Sequence, residues 1–475
     1  MKRFLLIFVC LCLIVSCLSA CHIQSPLIVE EKEVNTDTSG YIKLADGVSI
    51  DMISADYWIK DGYDEVIMSS SEISKFNEDN CNLISTKSGG NFSLKSIKDT
   101  ISGEIVKELI NSLEFPSNQD DLFVNGQKVG QEYWLNLKNN CNVNSVPEKV
   151  TVKFGYSVKR ATLRQFPTND YANVDYDDYF YDDFIMSDFM PFSPVAILHE
   201  SADGLWYYIA MYGYCGWIEK ENVAICPSRE DWLDRQNCDS FLVVTGNEIR
   251  LSEDPYCEAL SSQIIPMGTK LSLVKYEDAP ENINQRYSYG TYIVKLPVRL
   301  ADGSISDEYS LIPANSDVSV GYLDYTRANI IKQAFKLEGQ VYGWAGDFYS
   351  NDCSGIVREI FLCFGIEFPR VASQQMNVND MKFTDVSKKT DTEKLDFIKT
   401  LPAGSLLYFS GHIMIYLGYD GDDPYVISSV GSIATAETKV GDAIQVNTVL
   451  VSSMLRTTRR SGATWLSSVS GVLET

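Results

Sequence analysis

From Glu148 to about Pro313 the apolar residues recur at every second position in short runs, and this period narrows what the chain can fold into. Val150 to Tyr156, Pro194 to His199, Trp206 to Ala210 and Tyr214 to Ile218 read as strands parted by turn residues such as Asp203-Gly204. A second set follows in Phe241 to Thr245, Met267 to Val274 and Thr291 to Val298. Short strands at this spacing close small barrels, here two in tandem. Asp170 to Phe184, between strands of the first set, is dense in Asp and Tyr. It reads either as a solvated loop or as a lip that offers acceptors and aromatic faces to a ligand carrying an amine.

The flanks follow other periods. Ile101, Ile105, Leu109, Ile110 and Leu113 mark an amphipathic helix before the strands. After them, Ile330, Ile331, Ala334, Phe335 and Leu337 form one helical stripe, and Ile356, Val357, Ile360, Phe361 and Phe364 form another. Strands then return at Ser405 to Phe409, His412 to Gly418 and Tyr425 to Ser429. Helices first and an antiparallel sheet afterwards is an α+β order. A chain of 475 residues exceeds one ordinary core. The expected division is a signal peptide (1–20), a tether (21–40), an N-terminal mixed domain (41–147), two small barrels (148–236 and 237–320) and a C-terminal α+β domain (321–475).

The first residues bear on location. Met1-Lys2-Arg3 is a short positive region, and the apolar run from Phe4 to Val15 has signal-peptide length, too short to span a bilayer. Leu18-Ser19-Ala20-Cys21 resembles the lipobox of bacterial lipoproteins, so Cys21 is expected to carry lipid; the same pattern ending at Cys17 would shorten the apolar run. The chain is therefore expected to be exported and membrane-anchored, facing the periplasm or cell exterior, and to act as a monomer. Lys and Arg number 40 against 64 Asp and Glu, a charge of −24, which argues against a nucleic-acid partner.

Twelve cysteines are present. Beyond the signal and lipid positions, Cys81, Cys141, Cys215, Cys226, Cys238 and Cys257 could form three bridges in an exported protein. Cys363 reads as an unpaired core residue, which leaves Cys353. No CxxC, HExxH or HxH occurs, so zinc chemistry is not expected, and no cofactor is. Cys353 opens its helix behind a turn containing Gly343, Gly346, Asn351 and Asp352. A thiol in the first turn feels the positive end of the helix dipole, which favours the nucleophilic thiolate. The bland alternative is a small buried apolar side chain. Of only three histidines, His22 adjoins the anchor, His199 lies in a strand far upstream, and His412 follows Cys353 on a strand. Cysteine then histidine is the order of papain-like enzymes: imidazole takes the thiol proton, the thiolate attacks a carbonyl, and imidazolium protonates the leaving amine.

Several collinear motifs carry a resemblance. They are Thr326 to Ile331 with Ala334-Phe335, Tyr342-Gly343-Trp344, Asp352-Cys353-Ser354, Pro369-Arg370 with Gln374-Gln375, and Gly411 to Gly418. Arg160 to Thr168 and Val195 to Ser201 fit as well, in the first barrel. Together the chain resembles the NlpC-like cell-wall cysteine peptidases, in particular members with an N-terminal stabilising domain and two bacterial SH3 domains. The resemblance implies a papain-like catalytic domain that cuts peptidoglycan stem peptides between γ-D-glutamate and the diamino acid. It implies Cys353 as nucleophile, His412 as base, and Asp352 as receptor of a free N-terminal L-alanine, with Tyr342, Trp344 and Ser354 lining the same pocket. The lip at 170–184 would then restrict substrates to short, trimmed peptides. Two positions depart from the family pattern. Ser428 stands where an orienting histidine is expected, and Val371-Ala372 where a serine is common. A cysteine amidase acting on another cell-wall bond and a non-catalytic peptidoglycan-binding lipoprotein are the competing readings.

Overall fold

The structure is a computed structural model that describes residues 40–80, 84–86, 90–113 and 121–475. Cys17, Cys21, Cys81 and the expected signal peptide and tether lie outside the described residues, except for Gly40 at the tether's end. Leu44 to Thr475 make up one compact unit.

Among the described residues, three ten-residue helices, α1 (Ser70–Asp79), α2 (Gly103–Ser112) and α3 (Gln131–Asn140), precede the first large sheet. Ile101 was expected to begin α2, but it lies in a short strand paired with Val150, because its backbone joins a ladder there. Seven strands follow: β1 (Lys153–Ser157), β2 (Ala161–Arg164), β3 (Ile185–Phe189), β4 (Pro194–Glu200), β5 (Trp206–Met211), β6 (Tyr214–Glu219) and β7 (Val223–Ile225). They form one antiparallel sheet in the order β3-β2-β6-β5-β4-β1-β7. Alternate residues enter different cores. Ile197, Tyr207, Ile209 and Ile218 pack together on one face. Leu198, Trp206, Tyr208 and Trp217 pack on the other against Val106, Leu109 and Trp134 of α2 and α3. The N-terminal helices thus cover a face that a lone barrel would leave wet, which is why β5 is buried along its whole length.

A second sheet holds β8 (Phe241–Val244), β9 (Lys270–Val274), β10 (Thr291–Arg299), β11 (Ile305–Pro313) and β12 (Val318–Val320), in the order β11-β10-β9-β8-β12. The C-terminal region begins with α4 (Arg327–Phe335) and α5 (Cys353–Leu362). It continues through β13 (Lys382–Asp385), α6 (Asp391–Ile398), β14 (Leu406–Phe409), β15 (His412–Asp420), β16 (Asp423–Ile433), β17 (Ile444–Ser453) and β18 (Gly471–Glu474). These strands make a six-stranded antiparallel sheet, β13-β18-β14-β15-β16-β17. The period-3.6 stripes of α4 and α5 pack on Leu406, Ile413, Ile415 and Ile427. Ile398 of α6 and Trp465 cover the opposite face through Leu407, Met414 and Val426.

The N-terminal region also enters this second core. Met52, Trp58 and Phe76 are buried among the α4 and α5 side chains. Trp58 lies 5.4 Å from the ring of Tyr425, and Phe76 lies 5.8 Å from that of Phe368.

The bridge expectation fails for the described cysteines. Cys141, Cys215, Cys226, Cys238 and Cys257 are all free thiols. Four of the five are buried in apolar cores, where they act as small hydrophobes.

Candidate active site

The segment before Cys353 turns sharply. Ala345, Phe348 and Tyr349 adopt left-handed backbone angles (φ 50, 57 and 54°), and so does Gly346 (φ 96°). Asp352 ends the turn as the N-cap of α5, its Oδ1 accepting the Gly355 N–H at 2.8 Å. Cys353 is therefore the first helical residue. Its sulfur lies against the backbone N–H of Ile413, the residue after His412. The helix and β15 thus bring the two expected reactive residues to one place.

His412 is buried (8% exposed) between the rings of Phe409 and Trp465, each 5.3 Å away. Its Nε2 meets the Oγ of Ser428 at 3.0 Å, from β16 alongside. Ser428 is fully buried, so the position where a histidine was expected still supplies a hydrogen-bonding group. Burial and the adjacent Asp352 push the Cys353 thiol up to about 12, although the Ile413 N–H and Arg370 pull the other way. Desolvation of the sulfur works against the pull expected from the helix dipole. Burial also lowers the imidazole to about 4, with Asp352 opposing and Arg459 assisting. Thiol and imidazole are both uncharged at neutral pH.

Arg370 closes on Asp352 with both terminal nitrogens, Nη1 to Oδ1 at 2.9 Å and Nη2 to Oδ2 at 2.8 Å. Oδ1 also accepts from Ser354 Oγ at 3.0 Å. Three donors thus meet on Oδ1 and one on Oδ2, which leaves Oδ2 one further acceptor position. Ser354, expected to line a pocket, is buried; its hydroxyl donates to Asp352 and accepts from Arg370. Both bonds support the cap. His199, set aside as structural, bonds the Asn142 carbonyl from β4.

Comparison with known proteins agrees with this geometry. The model of the NlpC/P60 family matches residues 339–452, which include Cys353, His412 and Ser428. The C-terminal domain is an NlpC/P60 domain. The model of the SH3 domain (SH3b1 type) matches residues 170–219 within the seven-stranded sheet. Over 131 residues the chain is 31% identical to the bifunctional muramidase/DL-endopeptidase CwlT of Bacillus subtilis (strain 168). That match covers 25% of this chain and 35% of CwlT, so the chain spans about a third of this relative. Among solved structures, an NlpC/P60 endopeptidase from Photobacterium damselae subsp. piscicida is similar with a TM-score of 0.68 at 16% identity. It covers 87% of this chain and 93% of its own, which shows a shared fold across most of both molecules. An NlpC/P60 family protein from Bacillus cereus is similar at 17% identity and a TM-score of 0.45, covering 67% of this chain and 98% of its own.

The Asp/Tyr lip reaches the NlpC/P60 domain. Tyr181 lies 5.9 Å from the ring of Tyr342 and 5.5 Å from that of Trp344, and Phe180 lies 5.5 Å from Phe348. The Tyr181 hydroxyl also sits where a side chain on Gly431 would stand. Tyr342 is buried near Cys353, whereas Trp344 is 37% exposed at the rim. The lip's base is fixed by the buried Arg164–Asp182 ion pair at 2.9 Å, and by Asp170, which accepts from Asn125 and Tyr133 of the N-terminal region. A cavity of about 630 Å³ opens elsewhere, where Tyr212, Lys270, Arg358 and Glu367 converge, and neither Cys353 nor His412 lines it.

Sequence reasoning gave no role to Arg160, Asp188, Glu359 or Arg370. Asp188 carries the one available signal, a charge within the otherwise apolar and small strand Ile185 to Phe189.

Proposed function

We propose that this protein is an exported peptidoglycan hydrolase, a cysteine endopeptidase that cleaves the γ-D-glutamyl–diamino acid bond of short stem peptides bearing a free N-terminal L-alanine. The observation that carries the reading is the cysteine at the start of α5 beside a buried histidine whose Nε2 is bonded to Ser428. With Nε2 engaged, Nδ1 is the imidazole nitrogen left to take the Cys353 proton. The thiolate attacks the γ-carbonyl carbon, and the Cys353 N–H at the helix start holds the developing oxyanion. The imidazolium then protonates the departing amine, leaving a thioester that water hydrolyses with His412 as base. Because both groups rest uncharged, proton transfer accompanies substrate binding rather than preceding it.

The substrate's ammonium would take the remaining acceptor position of Asp352 Oδ2, in the field of the acidic lip. Tyr342, Trp344 and Tyr181 would wall the pocket, and the lip would exclude long or N-blocked chains. The name of the Bacillus subtilis relative, a DL-endopeptidase, favours the same bond class. We further infer lipid attachment at Cys21, a tether to residue 40, a stabilising region to residue 147, two SH3-like units to residue 320, and monomeric action. No helix among the described residues is long and apolar enough to cross a membrane. Digestion of L-Ala-γ-D-Glu-diaminopimelate tests the reading. L-Ala-D-Glu and free diaminopimelate are expected from the native protein and not from Cys353→Ala. An intact peptide after prolonged incubation with the native protein would overturn it.

A further inference from the structure

The NlpC/P60 domain does not hold its Cys353 turn alone. Arg160, just before β2, and Asp188, in β3, reach across from the seven-stranded sheet and are buried against Glu359 and Arg370. Arg160 Nη2 lies 3.3 Å from both Asp188 Oδ2 and Glu359 Oε1. The same guanidinium donates to the carbonyls of Tyr349 at 2.9 Å and Ser350 at 2.8 Å, in the turn before Cys353. Asp188 Oδ1 lies 3.4 Å from Nε of Arg370, whose two Nη atoms both end on Asp352. Gly346 packs onto Asp188 so closely that a side chain there would collide with it. An unbroken run of contacts therefore joins Asp188, Arg370, Asp352 and the first turn of the cysteine helix.

The geometry of Arg370 explains why such a partner matters. A guanidinium is a rigid planar fork, and once one edge is fixed the other donors have fixed directions. Asp188 Oδ1 faces the Nε edge as an ion pair without a hydrogen bond, so its charge draws that edge while the Nη pair meets Asp352. Arg160, Arg370, Asp188 and Glu359 are buried, with half-buried Asp352 and Arg358 beside them; burial pushes the Glu359 carboxyl up to about 7, and Arg358 lies in the field of Asp188, Glu359 and Glu367. The groups bearing on the thiol are Asp352, Arg370 and the N–H groups of Ile413 and Ser354, with Tyr342 beside them and His412 in the field of the same Asp352.

We propose that Asp188 is a positioning residue for Cys353: it fixes the Arg370 guanidinium so that it offsets Asp352 beside the thiol, and the SH3 sheet thereby sets the reactivity of a cysteine in another domain. The inference rests on Cys353 being the reactive group, and its test needs no peptide substrate, so its failure is separable from failure of the endopeptidase reading. The rate of iodoacetamide alkylation, quantified at the Cys353 peptide by mass spectrometry in the full chain, is measured from pH 7 to 9. Asp188→Asn is expected to slow the reaction about tenfold at each pH, the effect of a one-unit rise in thiol pKa, with unit slope of log rate against pH retained. Removing a negative charge with Arg370 left in place would speed it, and so would simple loosening of the site. Asp188→Glu keeps the charge and moves the carboxylate, so it too is expected to slow alkylation; it decides the matter if the Asn variant does not fold. Arg370→Ala should slow the reaction similarly, and the double variant Asp188→Asn/Arg370→Ala no further. A faster or unchanged rate in the Asp188 variants, or additive losses in the double variant, would overturn the proposal.

Discussion

Cys353 and His412 are displaced in opposite directions by the same cause, loss of water, and the pair rests neutral as a result. A histidine must be uncharged to accept the thiol proton. The acid limb of kcat/KM is therefore expected near pH 4, with activity lost as pH falls through that value and no loss near 6.5; a pH profile on the tripeptide checks it. Ser428 is a neutral hydroxyl and holds the ring without stabilising imidazolium as a charged partner would. Ser428→Ala should lower kcat about fivefold, corresponding to about 1 kcal/mol for one lost hydrogen bond, with KM nearly unchanged. The two candidate positions could be singled out because so few residue types perform this chemistry: three histidines left one usable base. Arg370 and Asp188 were not legible in that way. Their partners lie 18 and 182 positions away, and no local spacing encodes an ion pair across two domains.

The loop-to-helix element that delivers Cys353 depends on backbone that few residues tolerate. Gly346 combines φ 96° with contact on Asp188, so Gly346→Ala meets both a conformational and a steric obstacle. It is expected to destabilise the protein by about 2–3 kcal/mol in denaturant titrations and to reduce activity more than stability alone explains. The α5 stripe and its Asp352 cap could be read directly, because burial on one face and a polar start leave a periodic trace. Ile101 shows the limit of such reading. A β-branched residue next to a helix satisfies the helical stripe, yet a strand partner at Val150 claims its backbone. The cysteines show another limit, since sequence counts thiols but not which core encloses each.

At the scale of the molecule, the N-terminal region serves two cores. Trp58 is 1% exposed within the NlpC/P60 core, its Nε1 donating to the Met52 carbonyl at 2.8 Å. Trp58→Ala should cost about 3–5 kcal/mol and lower the midpoint of the whole unit, read by calorimetry. The change from helical stripes to strands and back was legible from the changes of period. Chain return was not, because nothing in residues 48–79 announces that they pack beside Tyr425 and Phe368. The SH3 region packs on the NlpC/P60 domain as well, with Tyr181 against Tyr342 and Trp344. Two regions outside the NlpC/P60 domain thus pack on it, and one of them reaches Tyr342 and Trp344 beside the candidate site. The most direct measurement compares turnover of L-Ala-γ-D-Glu-diaminopimelate with that of its N-acetylated form. Cleavage of the free-amine peptide with the acetylated one at least about a hundredfold slower is expected, the value of one buried charged contact at about 3 kcal/mol. Equal turnover of the two would contradict a pocket closed by the lip and reading the amine.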